Sequence, residues 1–241
     1  MMKKFVTFLL CSFLICIGLQ ARTFVLVTGV SNYGNEDVNL GQATKDAKRF
    51  KAVMETQTKD IILLTSRYVT RANVLEKLRA ICNRAQKGDR IIFFYSGHGM
   101  PGAICGYDQS ISYEDVIEVL SASEASEKIC FIDACHAGTM AGKTTDDSWT
   151  KTLKSKSDQI FFVSCRPDEY SVESNFLGAG FFTQALLKGL RGKSDRNHDC
   201  KITVIELFRY VYGDVLRRSK EQQHPQLIAN ESMYGIVVAK W

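Results

Sequence analysis

Five short runs of consecutive apolar residues recur along the chain, each closed by small or turn-forming residues. They are FVLVTG from residue 24, IILLTS from 61, IIFFYSG from 91, ICFIDA from 129 and IFFVSC from 160. Runs of four to eight such residues read as strands, and strands apolar on both faces belong to a parallel sheet covered on both sides. Between them lie segments with helical spacing: GQATKDAKRFKAVMET, TRANVLEKLRAICNRAQKG and SYEDVIEVLSAS, with GFFTQALLKGLRG and TVIELFRYVYGDVLRRS further on. Gly88 marks the end of the second and Ser112 the N-cap of the third. SMYGIVVAK reads as a last strand. The alternation predicts an α/β fold, a three-layer α/β/α sandwich around a mostly parallel sheet of about six strands.

Length and charge narrow the partners. The chain has 241 residues with 45% hydrophobic content, enough for one sizeable core. Its net charge of +5 includes Lys3 and Lys4, and no basic stripe interleaves with aromatics, which excludes a nucleic-acid surface. Residues 1–21 have a basic start, an apolar run of about a dozen residues and a small residue at Ala21, the plan of a secretory signal peptide. The expected mature protein is therefore secreted or periplasmic, keeps no stable membrane anchor and spans 22–241. Cys82, Cys105, Cys130, Cys135, Cys165 and Cys200 remain in it. They lack the tight spacing of a disulfide framework and read mostly as small buried hydrophobes, with any pairing left open.

Two of the runs end in reactive side chains: YSGHG places His98 after one strand, and DACHAG places Cys135 after another. In open α/β sheets, sites form outside the carboxyl ends of the strands. A helical crossover, residues 112–122, separates the two runs, as a parallel pair requires. His98 can then activate the Cys135 thiol and return a proton to a leaving amine. The N–H groups of Gly99 and Cys135 are candidates for an oxyanion hole. His136 adjoins the nucleophile but points the other way if the strand continues. His198 and His224 have no ligand cluster around them, so zinc is not expected.

YSGHG and DACHAG, in this order on this alternation, resemble the caspase-like fold of clan CD cysteine peptidases, peptidase family C14, and within it the metacaspase and bacterial orthocaspase branch. ATKDA after the first strand and GFFTQALLKGLRG near the end agree. The resemblance implies His98 as general base and acid and Cys135 as nucleophile. It also implies a large part at about 22–140, a linking loop at 140–159 and a small part at about 160–241. The caspase signature has Gln two positions before the catalytic Cys. Here Asp133 stands there, which argues against cleavage after Asp. Metacaspase-like proteins line the pocket for the residue before the scissile bond at positions that resemble Asp46, Ser96 and Asp133. Carboxylates at a pocket floor favour a cation, and Arg can be held by two hydrogen bonds. The expected substrates are proteins or peptides with Arg or Lys before the scissile bond. Lys143, Lys151, Lys154 and Lys156 would allow self-cleavage in the 140–159 loop. No organic cofactor is implied, and a monomer is expected. The alternative is a catalytically silent module that binds a peptide or partner; the intact Cys and His count against it.

One further spacing stands out. In DRNHDCKITVIE, Asp195, Asn197, Asp199 and Glu206 fall on calcium-ligand positions 1, 3, 5 and 12 of an EF-hand loop. Position 6 should be glycine and is Cys200. The competing reading is an Asx-rich turn capping the helix that starts near Thr203. Asp146 and Asp147, after the nucleophile, are the other weak calcium candidates.

Overall fold

The structure, a computed structural model, describes residues 21–134, 158–166, 173–174 and 179–241. The proposed signal peptide, Cys135, His136, most of the 140–159 loop and the acids Asp146 and Asp147 lie outside the described residues. No described helix is long and apolar enough to cross a membrane.

The chain opens with β1 (Thr23–Gly29), α1 (Ala43–Met54), β2 (Ile61–Thr65), α2 (Arg71–Arg84) and β3 (Arg90–Ser96). A small three-stranded antiparallel sheet follows: β4 (Gly99–Met100), β5 (Ala103–Cys105) and β6 (Ser110–Ser112). Then come α3 (Tyr113–Ser121), β7 (Glu127–Asp133), β8 (Gln159–Val163), β9 (Glu173–Ser174) and β10 (Ala179–Gly180). The last elements are α4 (Phe181–Lys188), β11 (Lys201–Thr203), α5 (Val204–Arg218), β12 (Gln226–Ile228) and β13 (Val237–Lys240).

Six strands form the main sheet in the order β12-β8-β7-β3-β1-β2, all parallel except β12. The alternation of the apolar runs sorts side chains into two cores. Phe24, Leu26, Ile91, Phe93, Cys130 and Ile132 face α2 and α3, where Leu78, Ile81, Val116 and Leu120 meet them. Val25, Val27, Ile92, Phe94, Ile129 and Phe131 face α1, α4 and α5, against Phe50, Phe182, Leu186 and Val211. Residues from neighbouring positions of one strand are thus buried on opposite faces, which explains why the runs are apolar throughout. The three-layer α/β/α expectation holds.

Three details depart from the sequence reading. The sixth strand of the main sheet is β12, in a stretch to which the sequence reading assigned no strand. SMYGIVVAK does end in a strand, but β13 pairs with β11 in a separate antiparallel ribbon. Gly88 does not terminate α2. That helix stops at Arg84 because Ala85 turns extended (ψ 139), and Gly88 serves the following turn at φ 96.

Burial accounts for the cysteines in the strands and helices. Cys82 and Cys130 are inside the core, where loss of solvent pushes the Cys82 thiol up to about 11 and the Cys130 thiol further. Both stay protonated and inert at neutral pH.

Candidate active site

The carboxyl edge of the sheet is set by register. Ser96 pairs with Asp133 across β3 and β7, and Gly29 pairs with Ser96 across β1 and β3. Hydrogen bonds continue the ladder one step past the strands, from Val30 N–H to the Ser96 carbonyl (3.0 Å) and from Gly97 N–H to the Asp133 carbonyl (3.1 Å). His98 and Cys135 each lie two residues beyond one member of the Ser96–Asp133 pair. The adjacency of the two parallel strands, expected from the helical crossover, is thereby met.

His98 is held on three sides. Its backbone N–H donates to the Tyr33 hydroxyl (2.7 Å), and its ring packs on Tyr33 with centroids 5.0 Å apart. Its carbonyl accepts from Cys105 N–H (2.9 Å) and from the buried Tyr95 hydroxyl (2.7 Å), which also lies 2.8 Å from the Cys105 carbonyl. Its Nε2 lies 2.8 Å from the Val38 carbonyl, an acceptor only. That contact requires the proton on Nε2, which leaves the Nδ1 lone pair available as a base.

The glycines of SGHG have separate reasons. A Cβ on Gly97 would collide with the Tyr95 hydroxyl and come within 2.8 Å of the Tyr33 hydroxyl. Gly97 is therefore a seat for the two phenols that fix His98. Gly99 pairs with Ile104 in the β4–β5 hairpin. Bonded and non-bonded pairs alternate in an antiparallel ladder, and Cys105 N–H already bonds to His98 O. Gly99 and Ile104 are thus a non-bonded pair, and the Gly99 N–H points out of the hairpin.

Strand alternation places Ser96 and Asp133 on the same face as Phe94 and Phe131, under α1 and α4. Both are buried, as is Asp46 of α1 at 2% exposure. Gly29 makes this approach possible: a Cβ there would meet the Ala43 carbonyl oxygen at 2.5 Å and Ala47 Cβ at 2.6 Å. The first turn of α1 therefore rests directly on the edge of β1. Asp46 and Asp133 converge on Gly180, at the N-terminus of α4. Asp46 Oδ2 lies 3.4 Å from Gly180 N, and a Cβ on Gly180 would sit 2.8 Å from Asp133 Oδ2.

Both acids also have structural partners. Asp133 Oδ2 accepts from the Thr183 hydroxyl (2.6 Å) and its N–H (3.2 Å), capping α4 from outside its own chain segment. Asp46 Oδ1 lies 3.5 Å from the Arg49 guanidinium, which is 45% exposed. The sequence suggested Asp133 for the pocket but carried no sign of Thr183, because that contact spans 50 residues. Tyr33 and Tyr95 were likewise not singled out.

The EF-hand-like stretch is occupied by backbone. Asp195 accepts from Cys200 N–H (2.9 Å) and from the Trp241 indole N–H (3.1 Å). Burial pushes its carboxyl up, but these donors outweigh that and hold it below the usual range. Asn197 accepts from Asp199 N–H and Asp199 from Lys201 N–H. Glu206 closes a capping box with Thr203 at the start of α5. Cys200 takes the left-handed conformation, φ 61, that glycine would favour at position 6. Among the described residues, no three His, Cys, Asp or Glu side chains gather as metal ligands.

A family model for the caspase domain, peptidase family C14, matches residues 22–233. A probable protease of a Desulfuromonadales bacterium is 24% identical over 89% of this chain and 32% of its own length. Metacaspase-1 of Scheffersomyces stipitis is 25% identical over 50% of this chain and 37% of its own. The chain thus spans about a third of the length of these curated relatives. Among solved structures, caspase-1 of Spodoptera frugiperda superposes with a TM-score of 0.65 at 14% identity, covering 87% of this chain and 90% of that one. A Geobacter sulfurreducens protein gives 0.64 at 16%, covering 89% and 97%. With the sheet order, the His98 edge and the family match in agreement, the chain belongs to the caspase-domain family of peptidases.

Proposed function

We propose that this chain is a cysteine endopeptidase that hydrolyses protein substrates after Arg or Lys through a Cys135–His98 dyad. The observation that carries the reading is the Ser96–Asp133 register, from which His98 and Cys135 follow at equal offsets. His98 Nδ1 takes the Cys135 proton, since its Nε2 proton is committed to the Val38 carbonyl. The thiolate attacks the scissile carbonyl carbon, and the oxyanion is received by the N–H groups of Gly99 and Cys135. His98 then protonates the departing amine, leaving a thioester that water hydrolyses.

Substrate preference follows from the buried carboxylates of Asp46 and Asp133 beside Gly180, with buried Ser96 paired to Asp133 in the register. A guanidinium or ammonium group offsets the cost of keeping two anions out of water. Export through residues 1–21 and self-cleavage within 140–159 belong to the same reading, with the mature enzyme acting as a monomer and without an organic cofactor. Extended substrate would add alongside the backbone near Cys165 and Arg166, at the end of β8.

The test compares hydrolysis of peptide reporters ending in Arg, Lys or Asp by the wild-type protein and Cys135→Ala. Arg or Lys cleavage that disappears in the variant is the expected result. Cleavage after Asp alone would overturn the pocket reading, and unchanged activity in Cys135→Ala would overturn the dyad.

A further inference from the structure

Parallel strands β7 and β8 should exchange backbone hydrogen bonds until one of them ends. Ser164 N–H donates to the Ile132 carbonyl (3.0 Å), so the next rung would run from Ala134 N–H to the Ser164 carbonyl. That rung is replaced. The Ser164 carbonyl accepts instead from the Gln223 amide nitrogen, Nε2, at 2.7 Å. The Ser164 hydroxyl takes over Ala134 entirely, accepting from its N–H (3.1 Å) and donating to its carbonyl (2.9 Å). The Cys165 thiol adds a weaker donation to the same carbonyl (3.4 Å). Ser164, Cys165 and Gln223 are fully buried and Ala134 is 1% exposed, so none of these groups has water as a substitute.

Ala134 is the residue before Cys135. We infer that Ser164, locked by Gln223, is a positioning residue for the nucleophile: it fixes both polar backbone groups of Ala134, the residue that precedes Cys135 in the chain. An ordinary ladder rung would hold Ala134 through one backbone bond, whereas the side-chain clamp holds both of its polar groups. Gln223 comes from the turn after α5, where Lys220 and Glu221 both adopt positive φ (51 and 63). Its backbone N–H is tied to the Ser219 hydroxyl (3.1 Å). The end of the chain's small part thereby braces the nucleophile carried by its large part.

This inference rests on the proposed dyad, and its test separates the two. The rate of Cys135 alkylation by iodoacetamide is measured against pH, taking the difference between each protein and its Cys135→Ala counterpart to remove Cys105 and Cys200. Arg-reporter kcat and KM are measured alongside. Ser164→Ala is expected to lower kcat by about 100-fold with KM little changed, the scale of an approximately 1 Å misplacement of a reacting group. It is also expected to move the Cys135 alkylation profile towards that of an unassisted thiol, with Ser164→Thr restoring both. Gln223→Met, which keeps the volume and removes the donor, should shift both readouts the same way by a smaller amount. A kcat and an alkylation profile unchanged in Ser164→Ala would overturn the inference, as would a lowered melting temperature alone. A profile shift in a protein that cleaves no reporter would leave the clamp standing and sink the peptidase reading.

Discussion

Asp133 caps a helix and has a proposed second role in the pocket, which a pair of substitutions can separate. As a cap, its Oδ2 accepts two bonds from Thr183. As a pocket residue it would supply charge to an Arg side chain. Asp133→Asn retains an acceptor but removes the charge. Hydrogen bonds to charged groups contribute about 1.5–3 kcal/mol against about 0.5–1.5 for neutral ones, so two bonds lose roughly 2 kcal/mol. For a chain of this size that is a fall in melting temperature of about 4–8 °C. In the pocket, losing the partner of a desolvated charge costs about 3 kcal/mol, or roughly 100-fold in kcat/KM. Thr183→Val removes the hydroxyl bond of the same cap, keeps the backbone N–H bond and leaves the carboxylate in place. The assay is thermal unfolding together with the ratio of kcat/KM for Arg and citrulline reporters, which differ in charge at nearly constant shape. Asp133→Asn should lower both the melting temperature and the Arg-to-citrulline ratio, and Thr183→Val only the first. An Asp133→Asn protein that melts early but keeps its preference for Arg would show that Asp133 is a helix cap and nothing more.

Gly97→Ala should reduce Arg-reporter turnover more than it reduces stability, because the new methyl displaces the Tyr95 and Tyr33 hydroxyls that hold His98; equal turnover would refute that role. Gly29→Ala drives a methyl into the backbone of α1 and should cost about 1–3 kcal/mol in urea unfolding, and a neutral result would mean α1 can move away from the edge. Glu206→Ala removes one side of the capping box and should lower stability by about 1 kcal/mol, equally with calcium or with a chelator; a loss seen only with calcium present would favour the metal reading. Alkaline pH should destabilise the fold. The Cys82 pKa is raised to about 11 and that of Cys130 further, chiefly by burial, so the unfolded chain releases these protons first. Stability is then fully present below about pH 9 and falls as pH rises towards 11. A urea midpoint unchanged between pH 8 and pH 10.5 would contradict this.

Four of the five apolar runs were legible because each is buried on both faces, so composition alone marks it; the run of edge strand β2 is apolar but only half-buried. The pairing of the two strands ahead of His98 and Cys135 was legible because both residues follow such runs at equivalent places. β12 was not, since three residues paired along one edge leave too little pattern, and Pro225 beside it signals a turn. The β4–β6 sheet was missed for a similar reason: its strands have two or three residues each and are bounded by Gly102 and Gly106. The calcium-like spacing has a second use. Carboxylates alternating along a tight loop can satisfy neighbouring N–H groups as readily as a metal, and here Asp195, Asn197 and Asp199 each accept from N–H groups within five residues in sequence.

What no local pattern could convey is how the edge is braced. Tyr33 lies 65 residues from the His98 amide it receives, and Gln223 lies 59 residues from the Ser164 carbonyl it caps. Either contact looks, in the sequence, like an ordinary polar side chain near a turn. Both act on backbone groups rather than on the reactive side chains. A base and a nucleophile carried on strand ends need their backbones fixed where the ladder stops, and the ladder cannot supply that itself. Side-chain hydroxyls and amides from distant loops can, because they reach peptide groups that have left the sheet. The same requirement explains why His98 and Ala134 each have both polar backbone groups bound, just past the ends of β3 and β7.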